Sequence, residues 1–505
     1  MAHDKKGRRS PEEKKAGLSQ VSLITVTLIA LLIIAASIRL IGIGKESIWL
    51  DEAITLRQAE QPMAITFYFV ANDSHLPLYV TLMHFWVRLF GISAVAARMF
   101  SLIFGVGSVY LIFLLGKRLF SPRVGLIAAA FLAFAPQMVY YSQEARLYTL
   151  FLFLTMLSCY FYVQMLEQQS KKNIALYTTA TALLIYTHMF AFLTLFCHTI
   201  HYLYINRRSA KRIAQWLIIL GILFILFTPW LAVMIRQLGF SSLVDWIPET
   251  TGITFLVTIY TIMGGVPLLV IFLVLCTIAI ARWTQAFSNA EKGNIAMLAL
   301  FSTLPIALVL VLSAVIMPLF VPKYFLFLSG YLFIASAFLI ERLVSARSIK
   351  IALIVLVIIS SLAVGISQYK TLDKQDWKGV ALYLNEHRKA AEPVIVEPYY
   401  YADAFAYSYD RSCFSVYLLN SCLFEKHNVL SLNYLAVCCN ATTKLTATNS
   451  RDKLDDYTNG TLWAVIPSAE KYPNSNKLIE YLLQEKKLEE QITFTKDILI
   501  YKFTD

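Results

Sequence analysis

Long apolar runs separated by short polar connectors fill the first three quarters of the chain. Each run approaches or exceeds the roughly 20 residues that a helix needs to cross a 30 Å hydrocarbon core. The runs fall at about 18–41, 95–116, 124–141, 147–166, 173–190, 191–206, 213–235, 252–281, 294–316, 324–342 and 349–367, which predicts about eleven transmembrane helices. The division inside 173–206 is the least sharp. A spanning β-barrel would show shorter, alternating segments instead. Between the first two runs, 42–94 is long and mostly apolar. Its stretch Pro77–Phe90 has helical spacing with His84 and Arg88 four apart, which suits a helix lying in the membrane interface. A buried hairpin of two short spans is the alternative.

From about Tyr369 the pattern changes to mixed polar and apolar residues, with no run long enough to span. Asp376–His387 carries apolar residues at i, i+3, i+4 and i+7 and predicts a helix. Pro393–Glu397, Leu462–Ile466 and the alternating run Thr493–Phe503 predict strands. The expected organisation is a polytopic α-helical membrane domain, 1–368, followed by a small soluble α/β domain, 369–505.

Charge orients this plan. Only 15% of residues are charged against 58% apolar, and the net charge is 44 − 32 = +12. Soluble domains carry about 25% charged residues. The excess lies in every second connector: Lys5 to Lys15, then Lys117, Arg118 and Arg123, Lys171 and Lys172, Arg207 to Arg212, Arg282 and Lys292, and Arg342 to Lys350. Basic connectors face the cytoplasm. The expectation is therefore a multi-pass protein of the cell (plasma or inner) membrane, with a cytoplasmic N-terminus and an extracytoplasmic C-terminal domain. No nucleic-acid partner is implied. Cys413, Cys422, Cys438 and Cys439 all fall in that domain, and one or two disulfides are expected there. Cys438 and Cys439 are adjacent and pair poorly with each other, so Cys413 and Cys422 are the expected partners, with the connectivity open.

The opposite connectors carry the unusual polar residues. They hold Asp51-Glu52 just after the first run, Asn72–Tyr79, Tyr140–Arg146, His188, Asp245-Trp246 and Pro322-Lys323-Tyr324. A carboxylate is tolerated at the membrane boundary far better than at its centre, so the acid pair alone is consistent with a solvated helix end.

Taken in order, these residues resemble a family. Trp49-Leu-Asp51-Glu52 followed by His75-Leu-Pro-Leu-Tyr79 is similar to the first outer loop of the glycosyltransferase-C superfamily, in the branch of protein O-mannosyltransferases and the lipid A aminoarabinose transferase. Arg98-x-x-Ser101-x-x-x-Gly105, Tyr141–Tyr148, Pro322-Lys323-Tyr324 and Asp376-Trp377-Lys378 resemble its later motifs, across nearly the whole span region. His75-Leu-Pro replaces a usual His-Pro-Pro. Lys323 replaces a usual Arg, keeping the charge but losing the two-pronged guanidinium.

The resemblance implies an inverting glycosyltransferase of the glycosyltransferase-C type. It would move a sugar from a polyprenyl monophosphate donor to a hydroxyl of a lipid, glycan or protein acceptor at the outer face of the membrane. Asp51 is then the expected base, with Glu52 assisting. Arg146, Lys323 and Arg98 are expected at the donor phosphate, and His75, Gln143, Glu144 and Tyr324 around the sugar and acceptor. A divalent metal ion is a candidate cofactor, with Glu52, His75 and Glu144 as candidate ligands. Acids and cations are expected to converge on one cavity. His188 and Asp245 match no motif and read as structural or solvated. The alternative is a non-enzymatic lipid-linked-sugar transporter or flippase, or a polytopic lipid-binding protein, although transporters usually show internal repeats, and none is seen here.

Overall fold

The computed structural model describes residues 11–73, 75–238, 247–370, 374–389, 392, 394–396, 401–409, 411, 445–447, 460–467, 473–494 and 498–505. It divides into two compact units. One comprises 1–41, 68–79 and 98–367; the other comprises 42–67, 80–97 and 368–505. Cys413, Cys422, Cys438, Cys439 and Asp245-Trp246 lie outside the described residues.

The first unit is a multi-pass helical membrane domain. Among the described residues, seven helices are long and apolar enough to span: Ser22–Leu40, Ala94–Leu119, Tyr148–Glu167, Ala210–Gln237, Asn289–Val315, Pro322–Leu343 and Arg347–Lys370. Two bent pairs raise this to nine at most. The two other expected runs, 173–190 and 191–206, form helices of only 15 residues, Lys171–Ile185 and Ala191–Ile205. At about 1.5 Å per residue each falls short of a full crossing.

Both bends have local causes. The run at 124–141 is two helices, α6 (Pro122–Phe134) and α7 (Pro136–Ser142), meeting at 62°. Pro136 has no N–H and its ring obstructs a continuing helix. The run at 252–281 is likewise two helices, Gly252–Met263 and Val266–Ala281, meeting at 90°. Gly264 and Gly265 take φ of 73° and 131°, which side chains rarely tolerate. Apolar periodicity continues through such breaks and does not register them.

The second unit holds a five-stranded sheet in the order β2-β1-β3-β5-β4, with β1 Val394–Val396, β2 Leu445–Ala447, β3 Leu462–Pro467, β4 Lys487–Phe494 and β5 Ile498–Thr504. β1 runs parallel to β2 and β3, while β5 runs antiparallel to β3 and β4. The alternating run at 493–503 is thus two paired strands, since alternation alone does not tell one strand from a hairpin. β3 is buried along its length, and Ile395, Leu462, Ala464, Ile466, Leu482 and Phe503 form the core.

The same unit contains α2 (Leu50–Glu60) and most of the amphipathic helix Leu78–Phe90. In the latter, Val80, Met83, His84 and Val87 are buried, while Phe85, Leu89 and Phe90 are exposed. His84 is anchored by a 2.8 Å hydrogen bond between Nδ1 and the Ala59 carbonyl.

Candidate active site

The expected residues divide between the two units, and each group is built differently. In the membrane unit, the organising element is the turn 143–147 that links α7 to the span α8 (Tyr148–Glu167). The helix α5 (Ala94–Leu119) holds this turn through one face. Ser101 Oγ donates to the Arg146 carbonyl at 3.1 Å and accepts from the Tyr79 hydroxyl at 2.8 Å. Thr149 Oγ1 donates to the Ser101 carbonyl at 2.9 Å. One turn on, a Cβ at Gly105 would lie 2.2 Å from Ser142 Oγ and 3.4 Å from Arg39 Nε. The i, i+3, i+7 spacing of Arg98, Ser101 and Gly105 therefore has a packing reason: the serine and glycine let the turn seat on α5. Arg98 itself is buried on the same helix.

Arg146 is held at both ends. Its Nη2 lies 2.7 Å from His75 Nε2. A guanidinium only donates, so His75 Nε2 accepts and the ring proton sits on Nδ1. That nitrogen lies 3.1 Å from Asp73 Oδ1. The contact with His75 Nε2 is thus what holds this end of the arginine fork. Glu144 is buried, and its carbonyl accepts from Arg146 N at 2.8 Å.

Lys323 is the second residue of a 3₁₀ turn, Pro322–Leu328, with Nζ 5.6 Å from the centre of the Tyr148 ring. Tyr324 packs edge-on against His188 at 4.8 Å, and His188 stacks on Phe151 at 5.0 Å. His188 is within electrostatic reach of His75, Arg146 and Lys323. These residues form one cationic, aromatic cluster, and His188, read from sequence as structural or solvated, belongs to it.

Gln143 has a clear local task. Its Nε2 donates to the carbonyls of Arg39 at 3.0 Å and Ile41 at 2.7 Å, capping α1 (Pro11–Leu40). Arg39, which sequence reasoning passed over, is fully buried. Its guanidinium donates to the carbonyls of Ala133 (2.9 Å), Leu132 (3.2 Å) and Ala35 (3.1 Å), and to Ser142 Oγ (3.0 Å). Leu132 O is the acceptor that a residue without an N–H at 136 leaves unmatched. An arginine thus replaces the donors lost at the proline break. The signal was present in the sequence as Ala135-Pro136 inside an apolar run.

In the other unit, Asp51 and Glu52 occupy the first turn of α2, where the helix dipole favours negative charge. Asp51 is half-buried; Glu52 is fully buried. Lys374 Nζ approaches Glu46 Oε2 at 3.5 Å and Glu52 Oε2 at 3.7 Å. Farther along α2, Arg57 pairs with Asp403 of α19 (Ala402–Tyr409) at 2.7 Å. Burial pushes the Asp403 carboxyl above the ordinary carboxylate range, and Arg57 only partly offsets this. Lys374 and Asp403 were both missed, because each meets its partner more than three hundred residues away in sequence.

Among the described residues, no group of three or more His, Cys, Asp or Glu side chains is placed to hold a metal ion. Both ring nitrogens of His75 face Arg146 and Asp73, and Glu52 faces a lysine.

The fold is shared with solved membrane proteins, and part of the chain matches a family model. Residues 74–232 match the family described as dolichyl-phosphate-mannose-protein mannosyltransferase. The chain superposes on the aminoarabinose transferase ArnT from Cupriavidus metallidurans in the apo state with a TM-score of 0.59, at 12% identity over 96% of this chain and 98% of ArnT. For ArnT bound to undecaprenyl phosphate the TM-score is 0.60, at 11% identity over the same shares. The sequence matches no curated protein.

Proposed function

We propose that this protein is an inverting glycosyltransferase that moves a sugar from a polyprenyl monophosphate to a hydroxyl of a lipid, glycan or protein acceptor at the outer face of the membrane. The observation that carries this reading is the oriented pair His75–Arg146, with Lys323 in the same aromatic cluster, in a chain of ArnT-like fold. Two cations beside aromatic rings, Arg146 buried and Lys323 half-buried, suit a departing phosphate monoester. Preorganised charges of this kind stabilise developing charge without reorganisation.

In the reaction, the acceptor oxygen bonds to the anomeric carbon as the bond from that carbon to the phosphate oxygen breaks, which inverts the centre. The acceptor proton passes to Asp51. An ordinary carboxylate is far too weak to remove an alcohol proton beforehand, so transfer accompanies attack. The polyprenyl phosphate leaves with its negative charge met by Arg146 and Lys323, and Arg98 adds to the local positive charge. Glu52 sets the position of Asp51. Glu144, Tyr324 and His75 contribute to the sugar and acceptor pocket, and Gln143 would do so through its amide oxygen, since its nitrogen caps α1.

In this reading the chain crosses the membrane about eleven times, with the helices Lys171–Ile185 and Ala191–Ile205 crossing together with the residues that flank them. Its N-terminus is cytoplasmic and its C-terminal domain lies outside, as the basic connectors require. The test is transfer from a panel of radiolabelled polyprenyl-phosphate monosaccharides to envelope acceptors. Wild-type protein is expected to turn over one of them, and Asp51→Asn to lose transfer while still binding undecaprenyl phosphate. Full transfer by Asp51→Asn would remove the proposed base.

A further inference from the structure

The beginning of the C-terminal domain grips the segment that leads into the acid pair. α18 (Trp377–His387) starts at Asp376, whose carboxylate accepts from Gly379 N at 3.0 Å. The next free helix N–H, that of Lys378, is met from far away in sequence by Ser47 Oγ at 3.1 Å. The Lys378 side chain then runs along the same segment. Its Nζ donates to the carbonyls of Gly44 (2.9 Å), Glu46 (3.4 Å) and Lys45 (3.5 Å). Lys374, itself buried, adds the ion pairs to Glu46 and to Glu52. Ser47, Ile48 and Glu52 are all buried.

We infer that Lys374 and Lys378 are positioning residues for the reaction: the head of the C-terminal domain sets the register of 44–52 and thereby the place of Asp51. This rests on the reading of Asp51 as the proton acceptor. The physical reason lies in the burial of Glu52. A carboxylate withdrawn from water needs a cation and hydrogen-bond donors to remain charged there. Lys374 supplies such a cation from a different part of the chain and thereby helps to hold the first turn of α2 in place. Lys378 acts on the backbone, where carbonyls of a non-helical segment would otherwise have to be met by solvent. The Asp376-Trp377-Lys378 motif thus becomes part of the apparatus that holds the acids, with Trp377 buried beneath it.

The experiment uses the full-length protein in nanodiscs, with Lys374→Met, Lys374→Arg, Lys378→Met, Glu52→Gln and the double variant Lys374→Met/Glu52→Gln. Lys374→Met is expected to lower kcat about a hundredfold, the scale of a misplacement near 1 Å, with the donor KM unchanged. Lys374→Arg should recover most of that loss. The double variant should be no slower than Glu52→Gln alone, because the lysine acts through the glutamate. Hydrogen exchange should rise about tenfold or more at amides 45–56 in both Lys→Met variants, with the membrane helices unaffected.

Wild-type kcat in Lys374→Met, or losses that simply add in the double variant, would overturn the inference. Unchanged exchange at 45–56 would do so independently of any assay. If the wild-type protein turns over no donor, the functional reading fails, while the exchange comparison still decides whether the clamp exists.

Discussion

The two units keep their buried charges by different means. In the membrane unit Arg39 rests on four oxygens of backbone and serine, Arg146 lies against an imidazole, and Lys323 lies over a tyrosine ring. In the other unit charge answers charge, with Lys374 between two glutamates and Arg57 against Asp403. A guanidinium satisfied by neutral oxygens, as that of Arg39 is, is held in place by dipoles. A carboxylate already paired with a lysine is fixed in place but is partly spent. In the proposed reaction the membrane unit receives the phosphate, and the acidic segment holds one carboxylate, Asp51, beside a second that is paired with Lys374.

The sharpest way to break this comparison is at the two reactive ends. Asp51→Asn should lower transfer about 10³–10⁴-fold, near the upper range for loss of a positioned base, with Glu52→Gln clearly milder. Equal losses would mean that the paired glutamate, not the aspartate, handles the proton. Arg146→Met should lower transfer about 10²-fold and weaken undecaprenyl phosphate binding, as measured by tryptophan fluorescence. Arg146→Lys should restore charge but not the hydrogen bond to His75, and so recover only part of the loss.

Smaller effects test the supports. Arg39→Met strands carbonyls at the α6–α7 break, and each buried orphan costs about 1–3 kcal/mol, so thermal unfolding in detergent should shift downward clearly. Gly105→Ala places a methyl against Ser142 and should destabilise by about 1–3 kcal/mol. If activity survives either change better than stability does, the turn 143–147 is held by more than this face of α5.

The mildest effect concerns Asp403. Its folded-state affinity for a proton is raised, so the folded state holds that proton over a pH range where the unfolded chain has already lost it. Its contribution to stability is therefore fully present below about pH 4, the ordinary carboxylate value, and declines as pH rises through the raised value. Asp403→Asn should flatten this limb in melts taken across the acid range. An unchanged slope would show that another group dominates there.

Much of this was legible in the sequence, for identifiable reasons. Span positions follow from apolar length, and the motif residues Arg98, Ser101 and Gly105 lie on one helix face because their spacing is helical. The helices at 376–387 and 78–90 follow from their stripes. What stayed hidden depends on partners distant in the chain. Lys374 looks like an ordinary charge in a linker until Glu46 and Glu52 come beside it. Gln143 reads as a pocket residue because its motif sits in a loop, yet its amide closes a helix end. The breaks at Pro136 and Gly264-Gly265 are written in the residues but overridden by unbroken hydrophobicity.

The proline at 136 and the arginine at 39 amount to a lock and its key. Either alone is a liability inside a bilayer: a kink that bares carbonyls, or a guanidinium with nothing to hold. Restoring the missing amide with Pro136→Ala should make Arg39→Met less harmful than it is in the native background. The two positions are then free to drift only in tandem, although ninety-six residues of chain lie between them.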